Sequence, residues 1–335
     1  MKLKLAATSD VHIGVYGTAI DPDTGLNAAF VSNRRCRQFM IDYCRENQPD
    51  YVLFVGDLYK TAIGKPSQEE QWEATNFFEQ LSQIAPTILK PGNHDQGERG
   101  KGEEDAVHAL KIFSKMNLRL KLLPAEGWSV VQLEGVKVGL YHGMLSNVRL
   151  ESGLLSDTVR SDLPKLKDAP PADLYVLGDI HHRQFIGENA AYCGALDRLN
   201  FGEEDENPSF WWIEIDDLPG GKLDIKWKAI KTPARKFITI VDEDDLDAVD
   251  VKGAVVRFSG ELKKHTQHEL IQRLKRDGAL EVPSVSDTSE LDEAPTVFSS
   301  TDPEEAYAVW VDSQVSESKD IREYSQVLLK GLLGK

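Results

Sequence analysis

Five short apolar runs over about the first two hundred residues each end in a polar cluster. Leu3–Thr8 leads to Ser9-Asp10-Val11-His12, Tyr51–Val55 to Gly56-Asp57, and Pro86–Lys90 to Gly92-Asn93-His94-Asp95. Val136–Leu140 leads to Tyr141-His142-Gly143, and Leu174–Leu177 to Gly178-Asp179-Ile180-His181. Apolar runs of this length bounded by Gly or Pro predict buried strands. Between the early runs the apolar spacing turns helical. Asn27–Asn47 predicts a helix that stops before Pro49, and Ser67–Ala85 opens with a capping box, Ser67 and Glu70. Strand, polar loop, helix, strand is the grammar of a layered α/β fold with ligands at the carboxyl ends of the strands.

Further along, the connections shorten. Ser209–Ile215 and Lys222–Ile230 predict an antiparallel pair around Pro219-Gly220-Gly221, with Trp211-Trp212 in packing roles. Thr232-Pro233 marks a domain boundary. A small α+β module then follows: a strand from Phe237, an acidic loop over Asp242–Asp250, a strand over Gly253–Ser259 and a short amphipathic helix over His268–Asp277. Glu281–Thr301 is rich in Ser, Asp, Glu, Pro and Thr and reads as a mobile segment. Ile321, Tyr324, Leu328 and Leu332 form one stripe of a closing helix. The expected organisation is a main domain over 1–231, an α+β capping domain over 232–313 and a helical extension over 314–335.

Composition changes this picture in three places. A hydrophobic fraction of 41% and a charged fraction of 28% describe a globular chain, and no apolar run is long enough for a membrane span. The segment before Asp10 reads as a first strand rather than a signal peptide. Three cysteines, Cys36, Cys44 and Cys193, without CxxC spacing exclude a zinc knuckle and argue against a disulfide framework, as expected in a reducing cytoplasm. The net charge of −16 argues against holding nucleic acid by bulk electrostatics. The densest basic stretch, Lys226, Lys228, Lys231, Arg235 and Lys236, lies where the two domains meet.

The chemistry lies in the clusters. Five of the eight histidines, His12, His94, His142, His181 and His182, fall in them, together with Asp10, Asp57, Asn93, Asp95 and Asp179. On extended chain, residues two apart leave on the same face, so Asp10 can join His12, and Asp179 can join His181, on one ion, while His182 points elsewhere. Carboxylate, imidazole and amide donors without thiolate suit manganese, magnesium or iron. Seven donors exceed what one ion needs when it also binds substrate. A carboxylate bridging two ions about 3.5–4 Å apart resolves the count, and such a pair activates water for phosphoryl displacement.

These motifs resemble the series of the calcineurin-like metallophosphoesterases. Within them, Cys193-Gly194-Ala195-Leu196-Asp197-Arg198-Leu199-Asn200-Phe201-Gly202-Glu203-Glu204 is similar to a segment of the DNA double-strand-break repair branch, the SbcD-like nuclease subunit, with phage members. The Thr232–Phe237 junction resembles that branch's entry to its capping domain. The resemblance implies a layered β-sandwich flanked by helices and a DNA exonuclease or endonuclease acting in repair or recombination. It implies two divalent metal ions, manganese first and magnesium or iron as alternatives. It places Asp10, His12, Asp57 and His181 on one metal and Asp57, Asn93, His142 and Asp179 on the other, with Asp57 as the bridge. His94 would be the general acid, and Asp95 would fix its loop. Lys60 and Arg198 are candidate substrate contacts. The implied partners are DNA, an SbcC-like ATPase subunit and, as an option, a second copy of the chain, in the cytoplasm or in a phage host's cytoplasm. Two positions depart from the pattern: Asp179 stands where the family carries histidine, and Lys60 where the branch often does. A small-molecule phosphodiesterase, favoured by the acidic charge, and a scaffold with a degenerate site are the competing readings.

Overall fold

The computed structural model describes residues 2–60, 66–96, 109–150 and 152–287. In chain order the elements are β1 (Lys2–Thr8), α1 (Ala28–Asn47), β2 (Tyr51–Val55), α2 (Gln68–Ile84), β3 (Thr87–Lys90), β4 (Leu120–Leu122), β5 (Ser129–Leu133) and β6 (Val136–His142). They continue with α3 (Ser156–Val159), β7 (Leu174–Gly178), β8 (Phe185–Gly187), β9 (Ala190–Tyr192), β10 (Ser209–Leu218) and β11 (Lys222–Lys231). The last are β12 (Lys236–Ile240), β13 (Ala254–Gly260), α4 (Gln267–Arg276) and β14 (Glu281–Asp287).

Period-two alternation sorts the strands into layers. In β2, Val52 and Phe54 face one way and Leu53 and Val55 the other, and all four are buried. That double burial is why the segment reads as one continuous apolar run. The first sheet runs β11-β10-β1-β2-β3-β4, and the second β5-β6-β7-β9-β8. Leu3, Leu5, Leu53 and Ile213 of the first pack against Val131, Val138, Leu140 and Val176 of the second, forming the core of a sandwich. On the outer face of the first sheet, Met40 and Cys44 of α1 and Phe77, Phe78 and Leu81 of α2 cover Val52, Phe54 and Phe210. The antiparallel pair β10 and β11 forms as expected, Ser209 opposite Lys231 and Leu218 opposite Lys222, and Trp211 and Trp212 go to opposite faces of the sheet.

Both long helices are closed by their own side chains. The Asn27 carboxamide accepts from the backbone of Ala29 and Phe30, and Ser67 and Glu70 complete the reciprocal capping box. Each cap is worth about 1 kcal/mol. Between the helices, the buried Arg37 guanidinium bonds Glu73 Oε2 at 2.7 Å and Asn33 Oδ1 at 2.9 Å, and Asn33 Nδ2 reaches the Val11 carbonyl at 2.5 Å. A buried charge pair thus braces the loop between Asp10 and His12.

After β11 the chain builds a third, parallel sheet, β12-β13-β14, with its own core of Ile240, Leu246, Val256, Phe258, Leu270 and Leu274. Two expectations are corrected here. The acidic stretch contains a 3₁₀ turn over Glu243–Asp247, because Asp242 caps it and Leu246 is buried beneath it. The segment expected to be mobile opens with strand β14, whose Val282 and Val285 pack on the small core. Polar composition hid a strand whose inward residues are only two valines. Residues 288–335, including the expected closing helix, lie outside the described residues. Among the described residues no helix is long and apolar enough to cross a membrane.

Candidate metal centre

The carboxyl ends of β1, β2, β3, β6 and β7 meet at one edge of the sandwich, and each delivers its polar cluster there. The contact is tight. A Cβ at Gly178 would collide with the Val55 carbonyl and the His142 ring, and one at Gly92 with the Asp57 carboxylate. Glycine is required at these positions because another backbone or a ligand side chain occupies the space.

Local geometry departs from the extended chain assumed for the Asp10–His12 and Asp179–His181 pairs. Asp10, His12, Asp57 and Asp179 all have positive φ, at 50°, 47°, 56° and 95°. Convergence therefore comes from left-handed turns rather than strand alternation. Such backbone is costly outside glycine and persists where surrounding bonds enforce it. The enforcing bonds are visible: Asp10 N–H donates to Gly56 O at 2.9 Å, His12 N–H to Asp57 O at 3.0 Å, and Asp179 N–H to the Asp10 carboxylate at 3.1 Å. The buried Asp95 carboxylate accepts from the backbone of Asp57, Leu58 and Gly92, each at 2.9 Å, so it fixes the loops as expected.

Three groups of donors lie close enough to share an ion: Asp10, His12 and His181; His12, Asp57 and His94; and Asp10, Asp57 and His142, with donor atoms within 4.8 Å in each. Asp57 joins them. Its Oδ2 lies 3.7 Å from His12 Nε2, and its Oδ1 lies 3.2 Å from His142 Nε2. His142 Nε2 is also 3.0 Å from Asn93 Oδ1 and 3.7 Å from Asp179 Oδ1. All seven expected ligands and His94 are thus brought together.

Ring tautomers are set from behind. A carbonyl only accepts, so Nδ1–H of His142 donates to Val55 O and Nδ1–H of His94 to Lys60 O, both at 2.7 Å. His181 Nδ1 lies 2.8 Å from the buried carboxylate of Glu203. Each ring therefore turns Nε2 to the centre, which is how metal-ligating histidines are oriented. His12 Nε2 and His181 Nε2 face each other at 3.1 Å. Burial and the neighbouring His181 hold His12 down at about 3, so its ring is neutral at ordinary pH. Burial pushes the Asp10 carboxyl up to about 7. Burial alone would lower His142, yet its bond to Asp57 raises it to about 10. Clustered imidazoles and buried carboxylates, with no lysine or arginine ion pair at Asp10, Asp57 or Asp179 among the described residues, fit a cation. The three cysteines are buried and free, outside the donor groups, so the donor set is oxygen and nitrogen.

A family model described as calcineurin-like phosphoesterase matches residues 3–183, more than half of the chain. The chain belongs to the calcineurin-like phosphoesterase family. That span contains every expected ligand and His94. Among relatives, the chain is 27% identical over 161 residues to an uncharacterised protein of Acanthamoeba polyphaga mimivirus, covering 38% of this chain and 12% of that protein. It is 24% identical over 261 residues to a provisionally assigned phosphoesterase of Invertebrate iridescent virus 3, covering 68% of this chain and 73% of that one. Similar solved structures include zinc-bound Vps29 from Entamoeba histolytica, with 14% identity, TM-score 0.29 and coverage of 68% and 99% of the two chains. Another is a provisionally assigned 5′-nucleotidase from Staphylococcus aureus, with 11% identity, TM-score 0.40 and coverage of 74% and 57%. The family match, and not these distant likenesses, carries the assignment of the chain to that family, and the three donor groups that could hold metal ions lie within the matched span.

The remaining expected residues are engaged elsewhere. Lys60 Nζ bonds the Val15 carbonyl at 2.5 Å and lies over the Tyr16 ring. The Arg198 guanidinium donates to the carbonyls of Glu203, Arg235 and Glu206, bracing the turn before the small module. His182 turns away from the cluster and pairs with Glu206. Sequence reading missed the Val55 and Lys60 carbonyls, the Asn33 brace and the role of Glu203. The first two are backbone groups with no sequence signal. Glu203 does lie in the Cys193–Glu204 segment, but nothing in the segment's pattern says which ring it faces.

Proposed function

We propose that the chain is a metal-dependent DNA nuclease that hydrolyses phosphodiester bonds at DNA ends, in repair or recombination. The observation that carries the reading is the Asp57 carboxylate, one oxygen toward His12 and the other toward His142. In this reading Asp10, His12, Asp57 and His181 hold one divalent cation, and Asp57, Asn93, His142 and Asp179 the other, manganese being the first candidate. When bound, such a pair activates water and neutralises charge on a phosphoryl group. The protein's own part is positional. Val55, Lys60 and Glu203 orient rings, Asp95 holds the loops, and glycines at 56, 92 and 178 leave room for His142. His94, anchored at Nδ1 and half-buried, turns Nε2 to the centre, 4.0 Å from Asp57 Oδ2, where it can give a proton to the leaving oxygen.

Support for DNA as substrate comes from the Cys193–Glu204 segment and from the small module joined to it through Glu204 and Thr239. An ATPase subunit and a second copy of the chain are the partners this reading proposes. The alternative, a small-molecule phosphodiesterase, is favoured by the net charge of −16. Incubating a labelled DNA duplex with manganese beside a chromogenic monoester and diester separates them. Processing of duplex ends supports the nuclease, while turnover of the diester alone defeats it.

A further inference from the structure

Resting on the cation reading above, we propose that Glu203 is the positioning residue of His181, whose ring it directs into the more enclosed half of the centre. Glu203 sits in a single 3₁₀ turn, Phe201–Glu203, and its side chain is almost entirely buried. Oε2 accepts from Leu199 N–H at 2.8 Å, and Oε1 faces His181 Nδ1 at 2.8 Å and Asn200 Nδ2 at 3.2 Å. Among the described residues its carboxylate forms an ion pair with His181, while Arg198 Nε donates to its backbone carbonyl at 3.2 Å. A buried carboxylate that only closed a turn would need the Leu199 and Asn200 bonds alone. Turning the second oxygen onto an imidazole makes an acid–histidine pair, which fixes the ring's tautomer and strengthens Nε2 as a donor.

The three oriented rings differ in their partners. His142 and His94 are held by neutral carbonyls, from Val55 and Lys60, whereas His181 is held by a carboxylate. Glu203 therefore acts on one cation position and not on the other. The adjacent Glu204 faces the opposite way and bonds Thr239 N–H at 2.6 Å. Two consecutive glutamates thus serve the centre and the small module separately.

The test uses the full chain and the variants Glu203→Gln, Glu203→Ala and His181→Ala. Manganese binding is titrated by calorimetry. In metal-free protein the imidazole N–H proton resonance of His181, identified by its loss in His181→Ala, is recorded beside the melting temperature. Glutamine keeps an acceptor for Leu199, so the fold is expected to survive. One manganese should then weaken about 10–100-fold, the other should hold, and the resonance should move upfield. Wild-type affinities and resonance in Glu203→Gln would overturn the proposal. So would equal weakening of both ions with a fallen melting temperature, which would make Glu203 a brace of the fold. If His181→Ala still binds two ions as tightly as wild type, the cation reading itself fails. The metal-free resonance then shows independently whether Glu203 orients the ring.

Discussion

The two sides of Asp57 are built differently. On one, Asp10 is fully buried and His12 nearly so, both in left-handed backbone locked by neighbouring strands. On the other, the His142 side chain is buried, but Asn93 is exposed and the Asp179 side chain keeps 24% of its surface. One half is the more enclosed by protein and the other the more open to solvent, where a phosphate can approach. The contrast teaches that loss of a residue on the open side should cost less than loss of the shared one.

The largest effect is expected at the junction. Asp57→Ala should lose both metals and reduce hydrolysis to background, because both halves use its carboxylate; metal content and turnover check this together. Two tightly held ions in this variant would erase the distinction between the halves. Next comes His94→Ala, which should keep both metals yet lose about 10²–10⁴-fold in kcat, the usual contribution of a general acid. Loss of metal on titration would make His94 a ligand instead.

Asp179→Ala should weaken the open position selectively, by at least the roughly 10–100-fold seen when metal-site partners are removed. The Asp10, His12 and His181 group should stay occupied, since the bond from residue 179 to Asp10 comes from the backbone N–H. Asp179→His should preserve activity. His182→Ala should change manganese affinity little, because that ring faces Glu206.

A smaller effect should follow pH in metal-free protein. His142 is raised from 6.5 to about 10, so its folded form binds more protons than its unfolded form within that window. Its contribution is full below about 6.5 and is lost as pH rises toward 10. The melting temperature of chelator-treated protein should therefore fall from pH 6.5 to 9, and the increment from added manganese should grow. His142→Ala should flatten that slope. A slope unchanged by the substitution would place its source elsewhere.

Much of the scaffold was legible in the chain because single elements announce themselves. The Ser67–Glu70 box and the Pro219-Gly220-Gly221 turn between Ser209–Ile215 and Lys222–Ile230 act over a few residues and survive into the fold. Valines 282 and 285 were not legible as strand, since two apolar positions in a polar stretch gain meaning only against the core of the small module. The site was legible as five clusters, but its stated geometry was wrong: residues two apart were expected on extended chain, and the structure uses left-handed turns.

The sequence by itself determined the donors: which carboxylates, imidazoles and amide stand at strand ends, and that no thiolate stands among them. Donor chemistry is a property of residue type and survives any arrangement. Only the tertiary structure decided how they are aimed. Nδ1 of His142 meets the Val55 carbonyl 87 residues away, and Glu203 reaches His181 across 22. A ring's direction depends on the group behind it, and that group is brought there by sheet packing rather than by neighbourhood in the chain.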